Sequence, residues 1–209
     1  MRTDSQTLRA VWEENVRLKE ELDDLRAAVD RFRQIIQALN TMQYSLDAIT
    51  PETDVLALIN SILVAAVEAV DCEDGSLMLL DDETGELVFV DVLGQSREQL
   101  IGYRLPPGEG IAGWVAANRK PAVVPEASLD ARWYSLIDDV MDFHTASLIS
   151  VPLLDGERTM GVIEALNPCD GEPFQVEDLD ILLLIARLAS LVLVQAENVK
   201  PGPEEPDSS

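Results

Sequence analysis

The first 47 residues contain neither glycine nor proline, and apolar residues recur through them every three and four positions. With Leu8 at position a of a seven-residue repeat, the a sites are Leu8, Asn15, Leu22, Val29, Ile36 and Gln43. The d sites are then Val11, Leu18, Leu25, Phe32, Leu39 and Leu46. Ten of those twelve positions are apolar, which predicts a coiled-coil helix with a seam about 60 Å long at ~1.5 Å per residue. A lone Asn at an a site favours a parallel, in-register dimer, because its amide then pairs with its twin. The flanking charges agree: a parallel pair sets Glu14 against Lys19 and Glu21 against Arg26 of the second chain, whereas an antiparallel pair sets like against like. The expected dimerisation residues are Asn15, Leu18, Leu22, Leu25, Val29, Phe32, Ile36 and Leu39. The competing arrangement, a helix folded back on its own domain, would leave a seam longer than one small domain can cover.

Towards its end the stripe widens to include Ile35, Met42 and Ile49, which a two-stranded seam does not need. Two further apolar helices are the expected cover. One runs from Val55 to Val70, with Thr50 as its cap and Pro51 in its first turn. The other runs from Leu179 to Val194, with a narrow polar stripe through Asp180, Arg187 and Ser190. Helices apolar nearly all round must be buried on more than one side.

Charge marks the boundaries. The chain carries 15 Lys+Arg against 39 Asp+Glu, a formal charge of −24, of which residues 1–47 hold only −2. Such a balance offers no basic surface for nucleic acid and disfavours an anionic membrane surface. Two cysteines, Cys72 and Cys169, suit a reducing compartment. The charged N-terminal stretch is unlike a signal peptide, and the run Ile181–Val194 is shorter than the ~20 residues of a membrane span; a cytoplasmic setting is expected. Residues 1–49 are read as the coiled-coil helix, 50–199 as a globular domain and 200–209 as a disordered acidic tail.

Within the globular domain the period switches to two. Gly75–Asp81 and Glu86–Leu93 form one predicted hairpin; Ala146–Leu153 and Arg158–Leu166 form another, turning at residues 154–157. Short strands fall at Ala122–Val124 and near Tyr103–Leu105, with helical pieces at Gly110–Asn118 and Ala131–Met141. This order describes an α+β fold: an antiparallel sheet with helices on both faces.

From about Asp54 to Ala196 the chain resembles a GAF domain, the small-molecule-binding sensor module of phosphodiesterases, phytochromes and bacterial signalling proteins. The matching stretches are Gly75-Ser-Leu-Met-Leu-Leu-Asp-Asp82 with Thr84-Gly-Glu-Leu87, then Leu105-Pro-Pro-Gly-Glu-Gly-Ile-Ala-Gly-Trp-Val115. Ser147-Leu-Ile-Ser-Val-Pro-Leu153, Gly161-Val-Ile-Glu-Ala-Leu-Asn167 and Phe174 complete the pattern. The resemblance implies a GAF-type sheet preceded by the coiled coil, and a ligand site between the sheet and residues 126–145. Trp133, Phe143 and His144 are the expected ligand-binding residues; that these aromatics simply fill the space is the plainer alternative.

No cofactor is named by the sequence. Gly108-Glu-Gly110-Ile-Ala-Gly113 matches a dinucleotide fingerprint but lacks the strand before it and the full helix after it. Cyclic-nucleotide-binding relatives carry an Asn-Lys pair, a Phe and Asp-Glu; here Asn167 and Phe174 are kept, but Pro168 replaces the Lys and Glu177-Asp178 is reversed. His144, the single histidine, has no second ligand with which to hold haem. The GAF-fold free methionine sulfoxide reductases work with cysteines, yet nothing beside Cys72 or Cys169 would lower a thiol pKa. Acid pairs Asp81-Asp82 and Asp138-Asp139 read as solvated turns rather than metal ligands. The expectation is a non-enzymatic, dimeric sensory or regulatory module whose output acts through a signalling partner in trans; the alternative is a ligand-free GAF adaptor for dimerisation and docking. Replacing Asn15→Leu is expected to strengthen the dimer while loosening its register, read as disulfide cross-links forming between mismatched seam positions.

Overall fold

The computed structural model describes residues 2–95, 97–134, 138 and 143–199. Helix α1 spans Arg2–Ala48 and α2 spans Val55–Ala69. The cap of α2 is Asp54 rather than Thr50: its Oδ1 accepts from the amides of Leu56 (3.0 Å) and Ala57 (3.3 Å). Thr50 instead closes the preceding turn, where its amide donates to Thr53 Oγ1 and its carbonyl accepts from the Thr53 amide. A Pro at position 51 therefore stands in the connection, not in the helix.

Six strands follow: β1 Cys72–Leu80, β2 Leu87–Leu93, β3 Arg104–Leu105, β4 Ala122–Val124, β5 Leu148–Asp155 and β6 Arg158–Pro168. All pairings are antiparallel, in the order β3-β2-β1-β6-β5-β4. Between them lie α3 (Arg97–Leu100), which the sequence pattern left as loop, and α4 (Gly110–Asn118); helix α5, Val176–Val199, closes the chain. Of the helix expected over Ala131–Met141, residues 131–134 form a turn and an irregular stretch, and most of the remainder lies outside the described residues. The expected tail, 200–209, also lies outside them.

The sheet separates two apolar layers. Leu77, Ile149, Val151, Ile163 and Ala165 point to α1, α2 and α5 on one face. Met78, Phe89, Leu148 and Val162 point to α3, α4 and the following loop on the other. Covering both faces is what makes β5 buried along nearly its whole length.

Helix α1 divides its faces between two tasks. Ala38 and Met42 are buried, with Met42 fully so, and Ile49 packs against the same core as α2 and α5. Arg31 forms an ion pair with Asp178, which also accepts from the Gln175 amide at the start of α5. The seam stripe stays outside as far as Ile36, with Phe32 63% exposed and Ile36 42%, whereas Leu39, expected at the dimer seam, is half-buried and Leu46 packs on the core. From Leu8 to Val29 every side chain described is exposed, so the helix projects beyond the domain it packs on. This is neither a free coiled coil nor a helix folded flat on its own domain, because residues one step round the helix from the seam do the packing.

The apolar run Ile181–Val194 sits in a 24-residue helix that is, by length and composition, apolar enough to cross a bilayer, a longer segment than the run alone suggested. Here Leu182, Ile185, Ala189, Val192 and Leu193 fill the core, while Leu184 and Leu191 are exposed on its outer side. Because Met42 is a core residue and not a seam residue, Met42→Ala is expected to destabilise folding by about 2–5 kcal/mol, checked by denaturant unfolding.

A cavity floored by Glu164

The two sheet faces meet different covers, three long helices on one and shorter pieces on the other. A cavity of about 90 Å³ opens between the β1–β6 region of the sheet, the first turn of α4 and the residues Trp133, Tyr134, Asp138, Phe143 and Thr145. Ser76 on β1 and Glu164 on β6 stand side by side on its floor, and Ser150 on β5 continues their row across the sheet by strand register. Ser76 and Ser150 are buried, and neither hydroxyl makes a hydrogen bond of normal geometry. The uncovered part of Glu164 opens into the cavity. Burial pushes its carboxyl up to about 7, with the nearby Ser150 hydroxyl offsetting this only partly. Asp74, also on the cavity wall, is raised in the same direction by burial and then by Glu73.

The cover is held at both ends by polar contacts the sequence spells out locally. At one end Asp130 accepts from Arg132 (2.6 Å), and the Arg132 guanidinium stacks 4.5 Å over Trp114 of α4. Asp130 is lowered by that pairing and Arg132 raised by it. The Trp133 amide then donates to the Asp130 carbonyl, which turns Trp133 and Tyr134 over the cavity. At the other end Asn167, with φ +53°, accepts from the amides of Ala146 (2.8 Å) and Ser147 (3.4 Å) and donates to the His144 carbonyl (2.8 Å). Asp138 accepts from the amide and hydroxyl of Thr145.

Of the three residues singled out as ligand-binding, Trp133 and Phe143 line the cavity. His144 does not: its side chain is exposed, because the clamp from Asn167 holds its backbone at the rim. Asp138, expected in solvent, is half-buried on the cavity wall. Glu164 and Ser76 were not singled out. The available signal was local contrast: Ser76 precedes the apolar run Leu77–Leu80, and Glu164 interrupts the apolar run from Val162 to Leu166.

The other motifs resolve into structure. The Gly108-x-Gly110-x-x-Gly113 spacing is a tight entry to α4: Gly108 and Gly110 have φ of +78° and +67°, and a Cβ on Gly113 would lie 2.7 Å from the Gly108 carbonyl carbon. Phe174 is a core residue, and Asp178 binds the start of α5. Asp81 accepts from the amides of Glu83 and Thr84 within the β1–β2 turn and pairs with Arg104. Cys72 is buried, with its thiol pushed up to about 12 by desolvation; Cys169 is exposed and raised, first by partial desolvation and then by Asp71 and Glu73.

The GAF domain family model matches residues 54–193, and the chain belongs to that family. It is 28% identical over 108 residues to the rod cGMP-specific 3',5'-cyclic phosphodiesterase subunit alpha of Homo sapiens, a match covering 52% of this chain and 12% of that protein. The chain therefore spans only a small part of that relative. Among solved structures, the GAF domain of a phosphoenolpyruvate-protein phosphotransferase from Coxiella burnetii matches with a TM-score of 0.68 at 18% identity, over 79% of this chain and 96% of that one. The free methionine-R-sulfoxide reductase of Neisseria meningitidis, solved with its substrate, matches with a TM-score of 0.63 at 22% identity, over 77% and 88%. The chain is thus a GAF domain related to those of sensory and regulatory proteins, in a fold that an enzyme also uses.

A carboxyl raised to about 7 from the usual 4.5 favours the folded state most at low pH, and that advantage is lost as pH rises through this interval. Gln at this position stays neutral throughout. The melting temperature of Glu164→Gln should match the parent near pH 4.5 and exceed it by several degrees near pH 8, a difference worth at most about 3 kcal/mol. A gap independent of pH would show that the acid form is not favoured.

Proposed function

We propose that this chain is a dimeric, non-catalytic GAF sensory module in which occupancy of the Glu164 cavity is passed to α1 and from there to a partner protein. The observation that carries the reading is that α1 belongs to the same packed core as α2 and the sheet through Ala38 and Met42, while its heptad seam from Leu8 to Ile36 is exposed. An apolar stripe of that length on a lone helix calls for cover, and a parallel second copy supplies it in register.

The route from cavity to helix is short and physical. Gly75 lines the cavity, and its far side lies so close to α2 that a Cβ would sit 2.5 Å from Val67 Cγ1. Near the cavity's other wall, Asp91 of β2 accepts from Asn60 of α2 (2.8 Å) and from Arg97 of α3 (2.5 Å). Val92 and Leu100, which line the cavity, flank that link. A ligand that displaces β1, β2 or α3 therefore acts on α2, against which α1 packs.

Neither thiol is activated, which supports a regulatory role over a cysteine-dependent reaction. The small size of the cavity favours the second reading, a ligand-free adaptor that docks partners through α1. Native mass spectrometry of freshly purified protein separates the two: a dimer carrying extra mass supports the sensor, a dimer at bare mass the adaptor, and a monomer overturns both. In a Cys169→Ser background, Leu25→Cys is expected to form an interchain disulfide readily, since facing d residues of a parallel dimer adjoin; no disulfide would exclude that register.

A further inference from the structure

Resting on the reading of the cavity as the ligand site, we propose that its ligand is a small organic amine, bound as the ammonium ion with an apolar body of about single-ring size. Three carboxylates stand on the cavity wall, Asp74, Asp138 and Glu164, and no Lys, Arg or His lines it among the described residues. The cover cannot supply a facing base: residues 126–145 contain only Arg132 and His144. Arg132 is engaged by Asp130 and Trp114, and His144 faces outward.

The acids alone would not define a site. The second observation is Ser76, 3% exposed, on the cavity floor beside Glu164, with a hydroxyl that meets no hydrogen-bond partner. A buried hydroxyl left unpaired costs free energy that a ligand polar group can recover. Three donors on an ammonium match that demand, reaching a carboxylate and the serine oxygen together. Above this floor the walls are aromatic: Phe89, Trp133, Tyr134 and Phe143 all line the space. Ring faces beside carboxylates attract a cation and repel an anion.

Size sets the rest. At ~10–15 Å³ of such space per water, the 90 Å³ cavity holds the bulk of only a handful of small groups. A phosphate-bearing nucleotide is disfavoured by bulk and by sign. Asp138 is occupied by Thr145, which leaves Glu164 and Asp74 to face the ligand: among the described residues Asp74 accepts no side-chain hydrogen bond, and Glu164 accepts none of normal geometry.

The experiment is calorimetric titration of the full chain with three probes of one shape and different charge: 2-phenylethylamine, 2-phenylethanol and phenylacetate. The amine should bind at least tenfold more tightly than the alcohol, and phenylacetate should not bind. Glu164→Gln should abolish the amine's advantage while leaving weak binding of the alcohol; Asp74→Asn, at the wall, should reduce it. Since Glu164→Gln removes a buried acid without changing shape, circular dichroism is expected to show an intact fold. Phenylacetate binding as tightly as the amine, or an amine preference that survives both variants, overturns the ligand class while leaving the cavity a ligand site. No heat from any probe also overturns it, and the sensor reading is then judged separately by the mass carried in native spectra.

Discussion

Every strand at the centre of this sheet has to be covered twice. β1, β6 and β5 present apolar side chains on both faces, so the chain must supply helices on each side, and it does so unequally. One face receives three long helices, α1, α2 and α5, and closes into a continuous core around Met42, Ile62, Ile163 and Leu182. The other receives the four-residue α3, the nine-residue α4, and Trp133 and Tyr134 from the chain beyond it. Short cover cannot fill the width of six strands, and the space left over is the cavity. The asymmetry of the two covers thus separates a face packed by long helices from a face that holds the Glu164 cavity.

The same asymmetry gives α1 its double character. An α-helix offers separate stripes to separate neighbours, and here the g and c positions (Ile35, Met42, Ile49 and Ala38) pack on the domain while the a and d positions from Leu8 to Ile36 stay exposed. Because the two stripes lie side by side on one rigid rod, displacement of the inner stripe displaces the outer. The intrahelical pairs Arg9–Glu13 and Arg17–Glu14 are exposed and add little stability.

Much of the fold was legible residue by residue. Heptad spacing located α1, and alternation located both hairpins, because side-chain period reports secondary structure directly. The widening of the stripe at Ile35 and Met42 announced a second neighbour. The cap of α2 was misplaced by four residues, since Thr50 and Asp54 are both competent caps and only the path of the turn selects between them. Helix α3 was missed because four residues carry too little periodicity. The start of the cover segment, read as helical from its spacing, is a turn at residues 131–132 beside the Asp130–Arg132–Trp114 contact.

For the site, composition and motif pointed to Trp133 and Phe143, which line the cavity, yet also singled out His144, which does not, and passed over Glu164, which does. A histidine is conspicuous in sequence because of its chemistry; an acid inside Gly161-Val-Ile-Glu-Ala-Leu-Asn167 is not. What the sequence by itself determined was periodicity, charge and family: a long seamed helix, an antiparallel sheet with double cover, and a domain with few bases. What only the tertiary structure decided was alignment. Ser76, Glu164 and Ser150 are far apart in the chain and share a row solely through strand register, a long-range quantity that no local pattern encodes. The dry environment that raises Glu164 comes from the same source, since desolvation depends on what the other strands and the cover place around a residue.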